Sequence, residues 1–207
     1  TEDDAGSDPA NMGTTAELSE DGSHWVLSGD KLWITNGILA DYFVVIARTP
    51  DKEIKGKVRR QYTAFIVEKA WEGVEYGTRC HFLGLKALYA GVIHFNDVKV
   101  PVENVLFEEG RGLKLALTTL NAGRLTLPSA AIGGAKWCLR EARRFASQRQ
   151  VWGSPIGEHE AIALKIAYIA SHTFAQEAMV YYTAAMVDRK DVDIRVEAAM
   201  CKMFGSE

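Results

Sequence analysis

The sequence is poor in cysteine. Its three, Cys80, Cys138 and Cys201, are odd in number and far apart. No Cys-x-x-Cys pair and no Cys/His cluster offers a metal site, and a scattered odd set is not a disulfide framework. They read as reduced thiols in or near the core, in a reducing compartment. No apolar run approaches the ~20 residues of a membrane-spanning helix, and no secretory leader is visible. Neither sign of charge dominates: 24 Lys and Arg stand against 27 Asp and Glu, a net of −3. That balance argues against nucleic-acid binding, which relies on a basic excess. Gly-x-Ser-x-Gly, His-Glu-x-x-His and the P-loop pattern are all missing, so none of those chemistries has a motif here. His24, His81, His94, His159 and His172 lack ligand spacing. What remains, 47% hydrophobic and 25% charged over 207 residues, suits a globular chain with a real core, as one large or two small domains.

The pattern changes character near residue 108. From about 24 to 107 it predicts strands. His24 to Leu27 alternates, Ser28-Gly29-Asp30 reads as a turn, and Lys31 to Thr35 returns, which predicts a hairpin. Tyr42 to Arg48 is a longer apolar run. Thr49 to Gln61 is crowded with charge and reads as a solvated loop. Tyr62 to Glu68, Gly91 to Phe95 and Val98 to Val100 complete the strands, with Pro101 closing the set. After Gly110 the apolar period switches from 2 to 3.6. Leu113, Leu117, Leu120, Leu125, Ile132 and Leu139 trace a helical stripe to about Gln148, with Pro128 set to kink it. Val151 to Pro155 breaks the pattern. A second helix fits His159 to about Asp188, and a third begins near Asp193 and is still running at Glu207. The expected fold is α+β: an antiparallel β-barrel or sandwich over 1–108, then the first helices of an α-helical bundle over 109–207. The start without Met and the end inside a helix suggest a piece of a longer protein. An unpaired third helix should expose an apolar stripe.

Candidate chemistry is thin when the residues are taken singly. Lys31-Leu32-Trp33-Ile34-Thr35 is a strand running into Asn36-Gly37, a strong turn signal. Alternation places Trp33 and Thr35 on one face; the plain alternative makes Trp33 core. Thr1-Glu2-Asp3-Asp4-Ala5-Gly6-Ser7-Asp8 has the small and Asx/Ser residues that turn N–H groups toward an anion, but taken alone an acidic surface turn explains it better. Gly110-Arg111-Gly112 is a short anion-site pattern that a helix start explains better. Arg149, three residues before Trp152, pairs a phosphate partner with a flat ring; a C-terminal helix charge and a core Trp remain open.

In order along the chain stand Thr1-Glu2 with Ala5-Gly6-Ser7-Asp8, GDKLWITNG (29–37), LADYFVVIART (39–49), FIVE (65–68), GVEYG (73–77), HFNDVKVPVENVL (94–106), GRGLKLAL (110–117), LNAGR (120–124) and RQVWG (149–153) before Pro155-Ile156. This series resembles the acyl-CoA dehydrogenase family across essentially all 207 residues. LNAGR and the tail from Glu197 to Glu207 look most like its very-long-chain branch.

The resemblance implies roles residue by residue. Trp33 and Ile34, at the end of the WIT strand, would lie beside the isoalloxazine of FAD, with Thr35 offering its hydroxyl near N5, the hydride acceptor. Thr1 would contact the flavin ring. Ser7 would sit between FAD and the CoA part of the substrate, with Gly6 permitting close backbone approach. Arg149 and Trp152 would hold the ADP half of FAD, usually that of a neighbouring subunit. Asn121 and Arg124 would line the CoA and acyl channel. The reaction needs a carboxylate to take the α-proton. In most members that Glu lies beyond the end of this chain, and in a minority it sits just before the Arg, where this chain has Gly123. No catalytic residue is therefore expected within the chain, and this polypeptide alone should be inactive. Two departures stand out: Asp3-Asp4 where the family has Pro after Thr-Glu, and Leu88-Tyr89-Ala90 where small polar residues near CoA are common.

The implied activity is FAD-dependent oxidation of a fatty acyl-CoA, of long-chain type, to trans-2-enoyl-CoA in fatty-acid β-oxidation. Electron-transfer flavoprotein would be the acceptor and a homodimer or homotetramer the assembly, cytoplasmic in a bacterium and mitochondrial in a eukaryote. Acyl-CoA oxidases and related flavin monooxygenases share the architecture, and a non-catalytic binding or assembly fragment is the remaining alternative.

Overall fold

The computed structural model describes residues 1–189 and 191–207. The chain divides into two compact units, Thr1–Leu117 and Thr118–Glu207.

The first unit is a mostly antiparallel seven-stranded sheet. Its strands are β1 (Thr15–Leu18), β2 (His24–Ile34), β3 (Tyr42–Ile54), β4 (Lys57–Glu68), β5 (Val74–Arg79), β6 (Gly91–Pro101) and β7 (Val105–Leu106). They lie in the order β5-β6-β2-β1-β3-β4-β7. Only β1 and β3 run parallel, joined at Thr15 and Arg48. Inward side chains alternate along the central strands: Trp25 and Leu27, Phe43 and Val45, Phe65 and Val67, Ile93 and Phe95 are all buried in one core. Trp25 tilts against Phe65 at 5.6 Å between ring centroids, and Phe43 meets Phe95 edge to face at 6.4 Å.

Three local expectations fail here, each for a physical reason. Ser28-Gly29-Asp30 is not a turn. β2 runs straight through it, and Gly91–Phe95 and Val98–Val100 are likewise one strand. The register slips between Leu27/Val98 and Gly29/Phe95, a bulge that places Asp97 at φ 52 on β6 and Gly29 at φ 139 on β2. Glycine is required at 29 because a Cβ there would stand 2.7 Å from the Thr14 Cα. Thr49–Gln61 is not a loop but the outer half of the β3–β4 hairpin, paired Lys52 to Arg59, Glu53 to Val58 and Ile54 to Lys57. It turns at Lys55-Gly56, both at positive φ. Its residues from Pro50 to Arg60 are exposed, so no apolar alternation marks them as strand. β1 carried no signal of its own. It is set by the Ser19–Ser23 turn, in which Asp21 accepts hydrogen bonds from the Ser19 and Ser23 hydroxyls and the Ser23 N–H.

Helix α1 (Gly112–Gln148) begins in the first unit and continues through the second. There it joins a small hairpin, β8 (Gln150–Val151) with β9 (Ser154–Pro155), then α2 (Glu160–Arg189) and α3 (Arg195–Ser206). Pro128 lies inside α1, and α1 is one continuous helix. The Pro128 ring is buried, its carbonyl accepts a hydrogen bond from Gln176 Nε2, and Gly205 of α3 closes over it. Ile132, Val180 and Cys201 form the small core. Cys201 is buried and Cys80 half-buried, but Cys138 faces solvent on α1, against the expectation of three core or near-core thiols. On α3, Val196, Met200 and Met203 form the expected exposed apolar stripe. No helix among the described residues is long and apolar enough to cross a membrane.

Candidate functional site

The first unit fastens its N-terminal segment with one carboxylate. Glu2 accepts hydrogen bonds from the Gly13 and Thr14 N–H groups, from the Thr14 hydroxyl at 2.6 Å and from Lys31 Nζ at 2.5 Å. Burial alone would raise the Glu2 pKa. The hydrogen bonds from Lys31, Thr14 and Gly13 outweigh it and hold the carboxyl below its usual range. Burial pulls the Lys31 ammonium down, and Glu2 partly offsets that. Further along, the Ala10 carbonyl accepts from Tyr62 Oη at 2.5 Å. The segment is thus pinned on both sides of Gly6 and Ser7, which are themselves exposed. Asp3 and Asp4 face solvent, so their charge is hydrated rather than buried.

The end of β2 presents the next group. Between Lys31/Ile93 and Ile34/Gly91 the register slips again, with the extra residue on β2. Trp33 takes φ 55 there. A bulge re-aims side chains, and an aromatic in left-handed backbone costs about 1–3 kcal/mol. Trp33 is 60% exposed, which excludes the core alternative. The simple alternation argument also fails, because β2 ends at Ile34 and Thr35 already belongs to the turn. Trp33 and Thr35 are nonetheless both exposed, and the Thr35 hydroxyl has no partner among the described residues. Ile34, between them in sequence, lines a cavity of about 250 Å³ together with Thr1, Met12, Lys31, Phe43 and Phe95 among others. The Leu32 N–H donates to the Thr1 carbonyl at 2.9 Å, which sets Thr1 against this strand end. Thr1 and Ile34 therefore share this cavity, with Trp33 and Thr35 flanking Ile34 along the chain.

Gly110-Arg111-Gly112 is a packing device. The Gly110 N–H donates to Thr63 Oγ1, and a Cβ on Gly112 would meet the Ala64 N and Thr63 C at 2.6 Å. These glycines let α1 start directly on β4. Where the family commonly has small polar residues, Tyr89 lies under the Arg79 guanidinium at 3.8 Å, and Arg79 donates to the Lys86 and Leu88 carbonyls.

The second unit carries two separate groups. Arg124 donates to Asn121 Oδ1 at 3.0 Å, one helical turn back. Gly123 between them opens onto free space. Arg149 follows α1 directly and makes no ion pair among the described residues. Trp152 and Gly153, at φ 52 and 83, form the tip of the β8–β9 hairpin. Trp152 is 91% exposed, touched by the His159 ring edge to face at 5.6 Å, so it is not core. His159 in turn lies 3.1 Å from the Val151 carbonyl. Among the described residues no group of three or more His, Cys, Asp or Glu could hold a metal.

Residues 1–98 match the family model described as acyl-CoA dehydrogenase, middle domain, and residues 110–207 match acyl-CoA dehydrogenase, C-terminal domain. The chain belongs to the acyl-CoA dehydrogenase family. It is 46% identical over its whole length to the probable acyl-CoA dehydrogenase FadE10 of Mycobacterium tuberculosis, and 38% identical to the mitochondrial very long-chain specific acyl-CoA dehydrogenase of Bos taurus. It spans 31% and 32% of those relatives, about a third of their length. Its fold matches the acyl-CoA dehydrogenase complexed with FAD from Bacillus anthracis with a TM-score of 0.86 and 33% identity, over 100% of this chain and 37% of that one. The expected α+β architecture is the family's. The residues that sequence reasoning missed are Lys31 and Thr14. An inward-set Lys in an apolar strand, with a Glu at the chain start to answer it, is the signal that points to them.

Proposed function

We propose that this chain is the central part of an FAD-dependent acyl-CoA dehydrogenase that oxidises a fatty acyl-CoA, of long-chain type, to the trans-2-enoyl-CoA in fatty-acid β-oxidation. The single observation that carries this is the strand end at Lys31–Thr35. A bulge there spends strain to hold the Trp33 ring out of the core, next along the chain to Ile34, which lines an apolar cavity together with Thr1. Such strain persists where function needs it.

The residues present fit a flavin. Trp33 and Ile34 offer a flat apolar face, and the Thr35 hydroxyl is a free donor. Arg149, without an ion pair among the described residues, stands three residues before the exposed Trp152, a pair suited to the diphosphate and flat ring of a neighbouring subunit's FAD. When bound, FAD supplies a hydride acceptor, and its phosphates and adenine give these groups their partners. Trp33 and Thr1 would orient the ring, the Thr35 hydroxyl would offer a hydrogen bond to its edge, and Gly6-Ser7 would let the acyl-CoA come close. Asn121 and Arg124 already hold each other's geometry for the substrate channel.

The base is not in this chain. The carboxylates that shift, Glu2, Asp21, Glu141 and Asp193, all shift down, away from a general base working near neutral pH. Gly123 cannot serve, and it leaves room for a long acyl chain. Electron-transfer flavoprotein is the proposed acceptor and a homodimer or homotetramer the assembly, in the bacterial cytoplasm or the mitochondrion. The test is dye-coupled turnover of the longer protein across acyl-CoA chain lengths. A long-chain optimum supports the reading, and a C4 optimum removes the long-chain part. Stoichiometric peroxide would instead make it an oxidase.

A further inference from the structure

We infer that Glu2 and Lys31, which make no direct contact with substrate in this reading, are positioning residues for the flavin-facing strand end. The inference rests on the flavin reading above. Lys31 is the last paired residue of β2 before the bulge that turns Trp33 outward. Its Nζ donates to Glu2 Oε1 at 2.5 Å and to the Ile46 carbonyl of β3 at 2.8 Å. Glu2 gathers the Gly13 N–H, the Thr14 N–H and the Thr14 hydroxyl. One ion pair therefore ties together the N-terminal segment, residues 13–14, β2 and β3. The Thr1 carbonyl, one residue from Glu2, accepts from Leu32, one residue from Lys31. Both sides of the candidate flavin contact thus hang on the same pair.

Packing alone does not call for charge at these positions. Both side chains are nearly buried, 13% and 10% exposed, and Lys31 is the one ionisable side chain among the described residues lining the adjoining cavity. An apolar pair of similar volume would avoid the desolvation cost. What it would lack is direction. A carboxylate with four donors and an ammonium with two acceptors accept one register of the segments they join, whereas apolar contacts tolerate sliding. The register fixed here is the one that sets Thr1 against Leu32 and starts the Trp33 bulge.

The test uses the longer, FAD-loaded enzyme, with Lys31→Met, Lys31→Arg and Glu2→Gln. In Lys31→Met, turnover should fall about 10- to 100-fold with KM for acyl-CoA within about twofold, since misplacement by an ångström costs about that much. The shape of the flavin absorbance band should change with it. Glu2→Gln, which keeps the shape and one of the two acceptor oxygens, should move the same readouts less, and Lys31→Arg should recover part of the loss. If Lys31→Met does not accumulate folded, Glu2→Gln decides by the same readouts. Variants that melt earlier but keep the parent's spectrum and turnover while folded would overturn the inference alone. A parent enzyme that takes up no FAD would overturn the flavin reading and this inference with it.

Discussion

The same substitution, Gly to Ala, should have opposite signs at two positions of this chain. Gly29 holds φ 139 at the β2 bulge, and an added Cβ would meet the Thr14 Cα and Oγ1 at 2.7 Å. Forcing a side chain into that backbone region costs about 1–3 kcal/mol. Overlap with a backbone atom, which cannot swing aside, costs about 1–3 kcal/mol more. The entropy lost by the unfolded chain returns about 0.4–1 kcal/mol. Gly29→Ala should therefore destabilise the first unit by roughly 1–5 kcal/mol. Gly133 is in the middle of α1, and a Cβ there meets nothing within 4 Å. Gly133→Ala should stabilise its helix by about 0.5–1 kcal/mol. Urea unfolding gives the signs, and hydrogen exchange read on peptides assigns them. Gly29→Ala should speed exchange in β2 and β6, and Gly133→Ala should slow it in α1. A Gly29→Ala protein as stable as the parent, or two shifts of the same sign, would refute the bulge geometry and the argument from it.

Two other outcomes follow from the electrostatics. Glu2 has its folded pKa below its unfolded value, so its contribution is present above the unfolded carboxylate pKa of ~4.3 and is lost as pH falls through the folded one. Glu2→Gln should flatten the acid limb of the stability curve below about pH 4, and an unchanged acid limb would show that the carboxylate is not paired in solution. Arg149→Gln in the longer protein should weaken FAD binding by roughly 10- to 150-fold, the worth of a hydrogen bond to a charged group. Equilibrium dialysis reads it, and an unchanged Kd would return Arg149 to a plain helix-end charge.

The sequence made the order of β and α regions legible because a switch of apolar period needs no tertiary information. It misread Ser28-Gly29-Asp30 because a glycine permits positive φ in a turn and in a bulge alike, and only the approach of Thr14 distinguishes the two. It misread Thr49–Gln61 because strand signals are mostly burial signals, and a ribbon with both faces in water shows none. Trp33 and Trp152 stand out from the strand end and the Arg149 spacing and take their roles from the resemblance, and the structure adds what no pattern reveals: both have positive φ and both are exposed. The Lys31 in an apolar strand hints at a buried partner, but which carboxylate answers it stays hidden, because the Glu2–Lys31 pair spans 29 residues and depends on a register that two bulges set.

The most direct test of the central claim is the visible flavin absorbance of the longer protein, purified without added cofactor and then mixed with a long-chain acyl-CoA under anaerobic conditions. The account predicts flavin bands that stay with the protein through gel filtration and bleach on mixing, as hydride leaves the substrate. A protein that stays colourless even when FAD is supplied, or a bound flavin that no acyl-CoA bleaches, would contradict it.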